Sequence, residues 1–274
     1  MYIAPEKTQT TPRASGASRR ELIVGAALVG GSLLVGCAPA DIMGSGAPKT
    51  DFGAFGPFIK IDADGAVTVM NKHQEMGQGN HAGLSAIVAE EMDADWSTVK
   101  VKHSAANAKV YANSLMGVQG TGGSTAIANS WMQLRKAGAG AKAMFVGAAA
   151  ARWGVAAGEI TVKDSVVSHA SGKSATFAEL LADAGKITPP AEPVLKDPKA
   201  FTLIGTQRVR RKDSLAKSTG TALYTQDVQM PGMLTAMVAH APRFGGTVKD
   251  FDATEALKVK GVVKVFKIES GVAV

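Results

Sequence analysis

"EMGQGNHAGL", running from Glu75 to Leu84, is the stretch on which the fold turns. A run with strand character precedes it, two glycines flank a glutamine inside it, and helical spacing begins as it ends. Gly77 and Gly79 can take positive φ and let another molecule touch the main chain. Two readings follow. One is a tight strand-to-helix turn. The other is a loop whose N–H groups face a phosphorylated ligand, with Asn80 capping the helix and the helix start adding the positive end of its dipole. Gln78 carries both a donor and an acceptor, which suits a neutral polar ring edge better than a metal.

Working outward, "FIKIDADGAVTVMN" before this stretch is two alternating apolar runs around Asp64-Gly65, a hairpin signal. After it, Leu84, Ile87, Val88 and Met92 predict an amphipathic helix over 80–93, with Glu90 and Glu91 facing outward. "STVKVKHS" returns as a strand with Val99 and Val101 on one face. The longest predicted helix runs from Thr125 to Trp153, with Ile127, Trp131, Leu134, Met144 and Phe145 on its apolar side. "GEITVKDSVVSHASGK" predicts a second hairpin, and "TFAELLADAGK" a short helix capped by Thr176. The order of elements predicts an α+β fold.

"TPPAEPVLKDP", Thr188 to Pro198, holds four of the eleven prolines and marks a boundary. Beyond it the chain reads as short strands, closing on the apolar "GVVKVFKIESGVAV", which would leave an unpaired edge in a domain cut short. The predicted organisation is an export segment at 1–40, a linker at 41–57, a first domain at 58–187, a proline-rich linker at 188–200 and an incomplete second domain at 201–274.

With 46% hydrophobic and 19% charged residues, the 274-residue chain is of globular type and long enough for real cores. Its 30 Lys+Arg against 23 Asp+Glu give +7, but the basic residues are scattered, which argues against a nucleic-acid partner. The one cysteine, Cys37, leaves the body of the protein without thiolates for zinc or iron–sulfur ligation.

"SRRELIVGAALVGGSLLVGCAPA" pairs Arg19 and Arg20 with fifteen apolar or small residues, Leu22 to Gly36. That is short of the about 20 needed to span a membrane. It reads as a twin-arginine-type export signal, directing a folded protein to the periplasm. "LVGC" offers a lipoprotein cleavage box that would anchor the protein through Cys37, and "APA" an ordinary cleavage site; both endings stand.

A second glycine cluster, "GVQGTGGSTAIANSW" from Gly117 to Trp131, opens the longest helix. Gly120, Gly122 and Gly123 with the hydroxyls of Thr121, Ser124 and Thr125 resemble a phosphate-binding nest. Either loop alone reads first as a structural turn, whereas two in one domain point to a phosphate-bearing ligand. A dinucleotide fingerprint fits poorly, because no acidic residue follows the next strand, and no lysine completes a Walker loop. His73, His81, His103, His169 and His240 are dispersed, without the spacing of a metal site. His81 reads as an exposed helix-start residue or a ligand contact, and Glu75 as a solvated strand-end carboxylate or a general base. Ser114 lacks a His/Asp arrangement.

"EMGQGNHAGL" together with "GTGGSTAIANSW" resembles the large subunit of molybdenum hydroxylases of the xanthine dehydrogenase/aldehyde oxidase superfamily, in the exported branch typified by isoquinoline 1-oxidoreductase beta subunits. "VAEEMDADWSTVKV", "RKAGAGAKAM" and "ARWGVAAGEITVKDSVVSHASGK" extend the likeness, and the stretch from "LKDPKAFTLIG" onward resembles the start of that family's α/β hammerhead domain. The resemblance implies a molybdopterin cofactor in its cytosine dinucleotide form, with molybdenum held by the pterin sulfurs. It implies that Gln78 and Gly79 meet the molybdenum end, and that Thr121, Gly122, Gly123, Ser124 and Thr125 grip the pterin and phosphate portion. It further implies hydroxylation of an N-heteroaromatic or aldehyde small-molecule substrate with water as oxygen source. The family's catalytic glutamate lies in a Glu-x-Gly-x-Gly-type motif that this chain lacks. No catalytic residue is therefore assigned, and the chain is expected to be an N-terminal portion that needs the remaining part of the large subunit. No iron–sulfur cluster is expected on this chain, so electrons would leave through a 2Fe-2S small subunit. "GTQRVRRKD", 205–213, departs from the Gly-Lys-Pro pattern usual there. The contrasting expectations are a non-catalytic exported binding or assembly remnant and a nucleotide-binding periplasmic protein.

Overall fold

Gly65, at φ 83°, turns the chain between β1 (Ile59–Ile61) and β2 (Val67–Asn71), which pair antiparallel with Ile61 opposite Val67. The structure, a computed structural model, describes residues 52–274; the export segment at 1–40 and most of the linker at 41–57 lie outside the described residues. After β2 the chain crosses through α1 (Asn80–Met92) and returns as β3 (Lys100–His103), parallel to β2. A parallel pair needs such a crossover, so these elements form one βαβ unit. The Gly-Gln-Gly loop lies at its carboxyl end.

A short helix α2 (Ala108–Tyr111) leads toward α3 (Ala126–Trp153), which ends on Gly154 at φ 66°. Glycine and alanine along α3 let it lie close against α1. A Cβ on Gly138 would sit 2.8 Å from the Val88 carbonyl oxygen and 2.9 Å from the Glu91 Cβ. Gly138→Ala, although it gains about 1 kcal/mol of helix propensity, is expected to destabilise the protein by about 1–3 kcal/mol through overpacking. Urea unfolding should show a lower midpoint at unchanged slope; a higher midpoint would mean that the two backbones do not meet there.

The second hairpin gains a strand. β4 (Ile160–Lys163), β5 (Val166–His169) and β6 (Ser174–Thr176) form one antiparallel sheet, with Asp164 and Ser165 at φ 47° and 63° in the tight turn. β6 is only three residues long, too short to show alternation in the sequence. α4 (Phe177–Ala184) follows with the expected cap: the Thr176 hydroxyl accepts the Glu179 amide, and the Glu179 carboxylate accepts the Thr176 amide. Phe177 stacks on Phe145 of α3 with ring centroids 4.1 Å apart, joining this sheet to the main core.

Glu90 and Glu91, placed outward by their spacing, are buried at 0% and 2% exposure. Glu91 accepts from Arg135 Nε at 2.5 Å and from the Lys196 amide at 2.8 Å. Glu90 accepts the amides of Thr202, Leu203 and Ile204 at 3.0, 2.7 and 2.9 Å, and Lys196 Nζ at 2.7 Å. Burying a carboxylate is tolerable only when its lone pairs are filled in this way. Arg135 lies 44 residues downstream, and Lys196 and the Thr202–Ile204 amides more than a hundred, so no local period could reveal them. As a result the segment around Leu203 returns to the core of α1. Ile127, read as part of the apolar side of α3, is 42% exposed; with Trp131 it lines a cleft of about 240 Å³ shared with Ile87, Leu203 and Val209.

Past residue 213 come α5 (Ser214–Ser218), β7 (Val238–His240), α6 (Thr254–Lys258), β8 (Phe266–Ile268) and β9 (Gly271–Ala273). The final apolar run forms β8 and β9: β9 is the central strand, hydrogen-bonded to β7 on one side and β8 on the other, and β8 is an edge of this three-stranded sheet. Leu234, Met237, Phe244 and Val263 nevertheless remain exposed.

Candidate functional site: two glycine loops at adjoining helix starts

The Gly-Gln-Gly loop does not hold its amides open for a phosphate, because Glu75 has taken them. Its carboxylate accepts from Gly77 N–H at 2.8 Å, Gly79 N–H at 3.0 Å and His81 N–H at 3.0 Å. The side chain is 2% exposed, not the solvated strand-end carboxylate that its position suggested. Burial pushes its pKa up, but the His81, Gly79 and Gly77 amides and the Arg211 charge outweigh this and hold it below the usual glutamate value. Asn80 does not cap the helix either. Gly79 occupies that position, while the buried Asn80 carboxamide donates to the Gln74 carbonyl at 2.7 Å and accepts from Asn71 at 3.3 Å. Gln78 folds over its own loop, its Nε2 donating to the Gln74 carbonyl at 2.8 Å. A βαβ unit can seat a pyrophosphate at this point, yet here a fixed negative charge already fills it. That is the physical reason the dinucleotide reading fails.

His81 is half-buried rather than exposed. Its ring centroid lies 4.6 Å from that of His103, and its buried Nε2 has no hydrogen-bond partner among the described residues. Burial first, and then His103, lower its pKa.

The second loop has the opposite character. Among the described residues the amides of Gly122, Gly123 and Ser124 donate to nothing. Gly123 and Ser124 are both left-handed, at φ 58° and 55°, a conformation that turns successive N–H groups toward one point. Thr125 braces the loop: its hydroxyl donates to the Gly122 carbonyl at 2.8 Å and accepts from Asn113 Nδ2 at 2.7 Å.

Lys72 Nζ donates to Gln133 Oε1 of α3 at 2.7 Å and to the Ala112 carbonyl at 3.3 Å. It is 6% exposed, and among the described residues no carboxylate pairs with it. Burial lowers its pKa, as the desolvation of an unpaired cation must. His73 beside it is lowered by burial and then by Lys72, so its ring is neutral near pH 7. Its Nδ1 lies 3.4 Å from the Thr121 hydroxyl, and its Nε2 has no hydrogen-bond partner among the described residues.

Thr121 joins the loops, its hydroxyl accepting the Gln74 amide at 2.9 Å. The helix entrances adjoin as well, since a Cβ on Gly83 of α1 would come within 3.0 Å of the Ile127 side chain of α3. Gln78 and Gly79 on one loop, and Thr121, Gly122, Gly123, Ser124 and Thr125 on the other, thus lie at neighbouring helix starts. Sequence reasoning missed three contributors: the capping role of Glu75, the unpaired charge of Lys72, and Arg211. The first left a readable trace, since Glu75 precedes Gly77, Gly79 and His81 by two, four and six residues.

A crossover helix and a long helix thus open side by side from two glycine loops, one with its amides held by Glu75 and the other with amides free among the described residues. The chain belongs to the molybdopterin cofactor-binding domain family, whose profile matches residues 35–210. It is 33% identical to isoquinoline 1-oxidoreductase subunit beta of Brevundimonas diminuta, over 97% of this chain and 38% of that protein. It is 36% identical to the membrane-bound aldehyde dehydrogenase (pyrroloquinoline-quinone) of Gluconacetobacter polyoxogenes, over 79% of this chain and 28% of that one. Among solved structures it is similar to quinoline 2-oxidoreductase from Pseudomonas putida 86, with TM-score 0.38 and 23% identity over 50% of this chain and 19% of that chain. The resemblance drawn from the two glycine loops is thereby borne out, and the chain spans less than two fifths of the curated relatives it matches.

Proposed function

We propose that this chain is the cofactor-cradling portion of a molybdopterin-dependent oxidoreductase subunit that hydroxylates an N-heteroaromatic or aldehyde substrate. The observation that carries this reading is the contrast between the two adjoining loops. The second combines unspent amides, hydroxyls and the buried charge of Lys72, which suits the phosphate end of a cytosine dinucleotide cofactor. The first has its amides filled by Glu75 and offers the remaining donor and acceptor capacity of Gln78, which suits a polar contact at the molybdenum end. Bound there, the cofactor supplies a molybdenum centre for oxygen transfer from water.

In this reading the residues of the chain bind and orient, and the base that moves the proton lies in the rest of the large subunit. The segment 201–274 is then the start of a hammerhead-type domain. A 2Fe-2S small subunit takes the electrons, and the twin-arginine segment carries the assembly to the periplasm, ending either in a lipid anchor at Cys37 or in cleavage at the Ala-Pro-Ala stretch. The test is composition. The chain isolated from its own cells with its co-purifying partners should contain molybdenum, a pterin and, after mild hydrolysis, cytidine monophosphate. A complete assembly containing pyrroloquinoline quinone instead overturns the proposal. One containing neither cofactor leaves the binding or assembly remnant in its place.

A further inference from the structure

The geometry assigns Arg211 as the positioning residue of the Gly-Gln-Gly loop, holding Gln78 in place from a segment 134 residues downstream of Gly77. Glu75 grips the loop by its amides, but the carbonyls of a loop with Gly77 at φ 103° and Gly79 at φ 87° point elsewhere and need their own partner. Arg211 supplies it. Its Nη1 donates to the Gly77 carbonyl at 2.6 Å, while Nη2 reaches Glu75 Oε1 at 3.3 Å. The guanidinium is itself held by Asp213, through Nε at 2.9 Å and Nη2 at 2.8 Å, and Asp213 is braced by Lys217 at 2.5 Å. One planar fork therefore serves a carbonyl and two carboxylates, which the point charge of a lysine cannot reproduce.

Arg211 is 37% exposed. Exposed ion pairs contribute little to global stability, so its effect is local: it decides which way the loop carries Gln78. This inference rests on the reading of Gln78 as a cofactor contact.

The test compares Arg211→Met and Arg211→Lys with the unaltered chain, each isolated in full with its co-purifying partners. Hydrogen exchange at the amides of Gly77, Gly79 and His81 reports the loop. The amides of Thr202, Leu203 and Ile204, held by Glu90, serve as an internal control. Arg211→Met is expected to speed exchange at the three loop amides about tenfold while leaving the control amides unchanged, and to speed release of the fluorescent pterin. Arg211→Lys should recover part of the loop protection. Unchanged loop exchange, or equal acceleration at both sets of amides, overturns the positioning role. Faster loop exchange with unchanged pterin release overturns Gln78 as a contact while leaving the hold of Arg211 on the loop intact.

Discussion

Glu90→Ala is expected to lower the free energy of unfolding by about 3–5 kcal/mol, as the removal of one partner from a buried ion pair does. The variant strands Lys196 and leaves the amides of Thr202, Leu203 and Ile204 without their acceptor. The effect should depend on pH with a definite sign. Burial raises the pKa of Glu90, but Lys196 and the Thr202, Ile204 and Leu203 amides together hold it below its ordinary value of 4.5. Its contribution is therefore complete above that value and is lost as pH falls through the lower, folded-state pKa. Urea midpoints measured from neutral to acid pH should show the two proteins far apart at pH 7, with the gap narrowing as pH falls below 4.5. A gap under about 1 kcal/mol at pH 7, or one indifferent to pH, would show that Glu90 does not clasp the downstream segment.

What the sequence disclosed follows the range of the forces involved. The Asp64-Gly65 and Asp164-Ser165 turns, the Thr176 cap and the extents of α1 and α3 are set by neighbours within a few residues, and all were legible. Glu90 and Glu91 were not, because a carboxylate on a helix looks solvent-facing until a cation and three amides arrive from far along the chain. The two glycine loops were legible as helix entrances, and their adjacency was expected. Their opposite electrostatics were not, since Glu75 and Lys72 owe their states to burial, which residue type does not reveal.

Lys72→Met is expected to weaken cofactor retention about 10- to 100-fold, the range for losing a charge-assisted interaction. Stability should stay within about 1 kcal/mol of the unaltered protein, because an unpaired buried cation is itself costly and methionine of similar length replaces it. The two readouts are pterin release followed by fluorescence and the urea midpoint, both on the chain with its co-purifying partners. Lys60, exposed on β1 and paired with Asp62 at 2.9 Å, provides the matching control, and its methionine variant should release pterin at the ordinary rate. Equal release from the Lys72 variant would remove the electrostatic basis for a phosphate at the second loop.

The clasp at Glu90 also bears on how the gene can be trimmed. A designer guided by the prolines would stop near residue 187, discarding Lys196 and Leu203 and marooning two anionic side chains in oil. An expressible piece has to run past Asp213, so that α1 keeps its strap and the Gly-Gln-Gly loop its guanidinium.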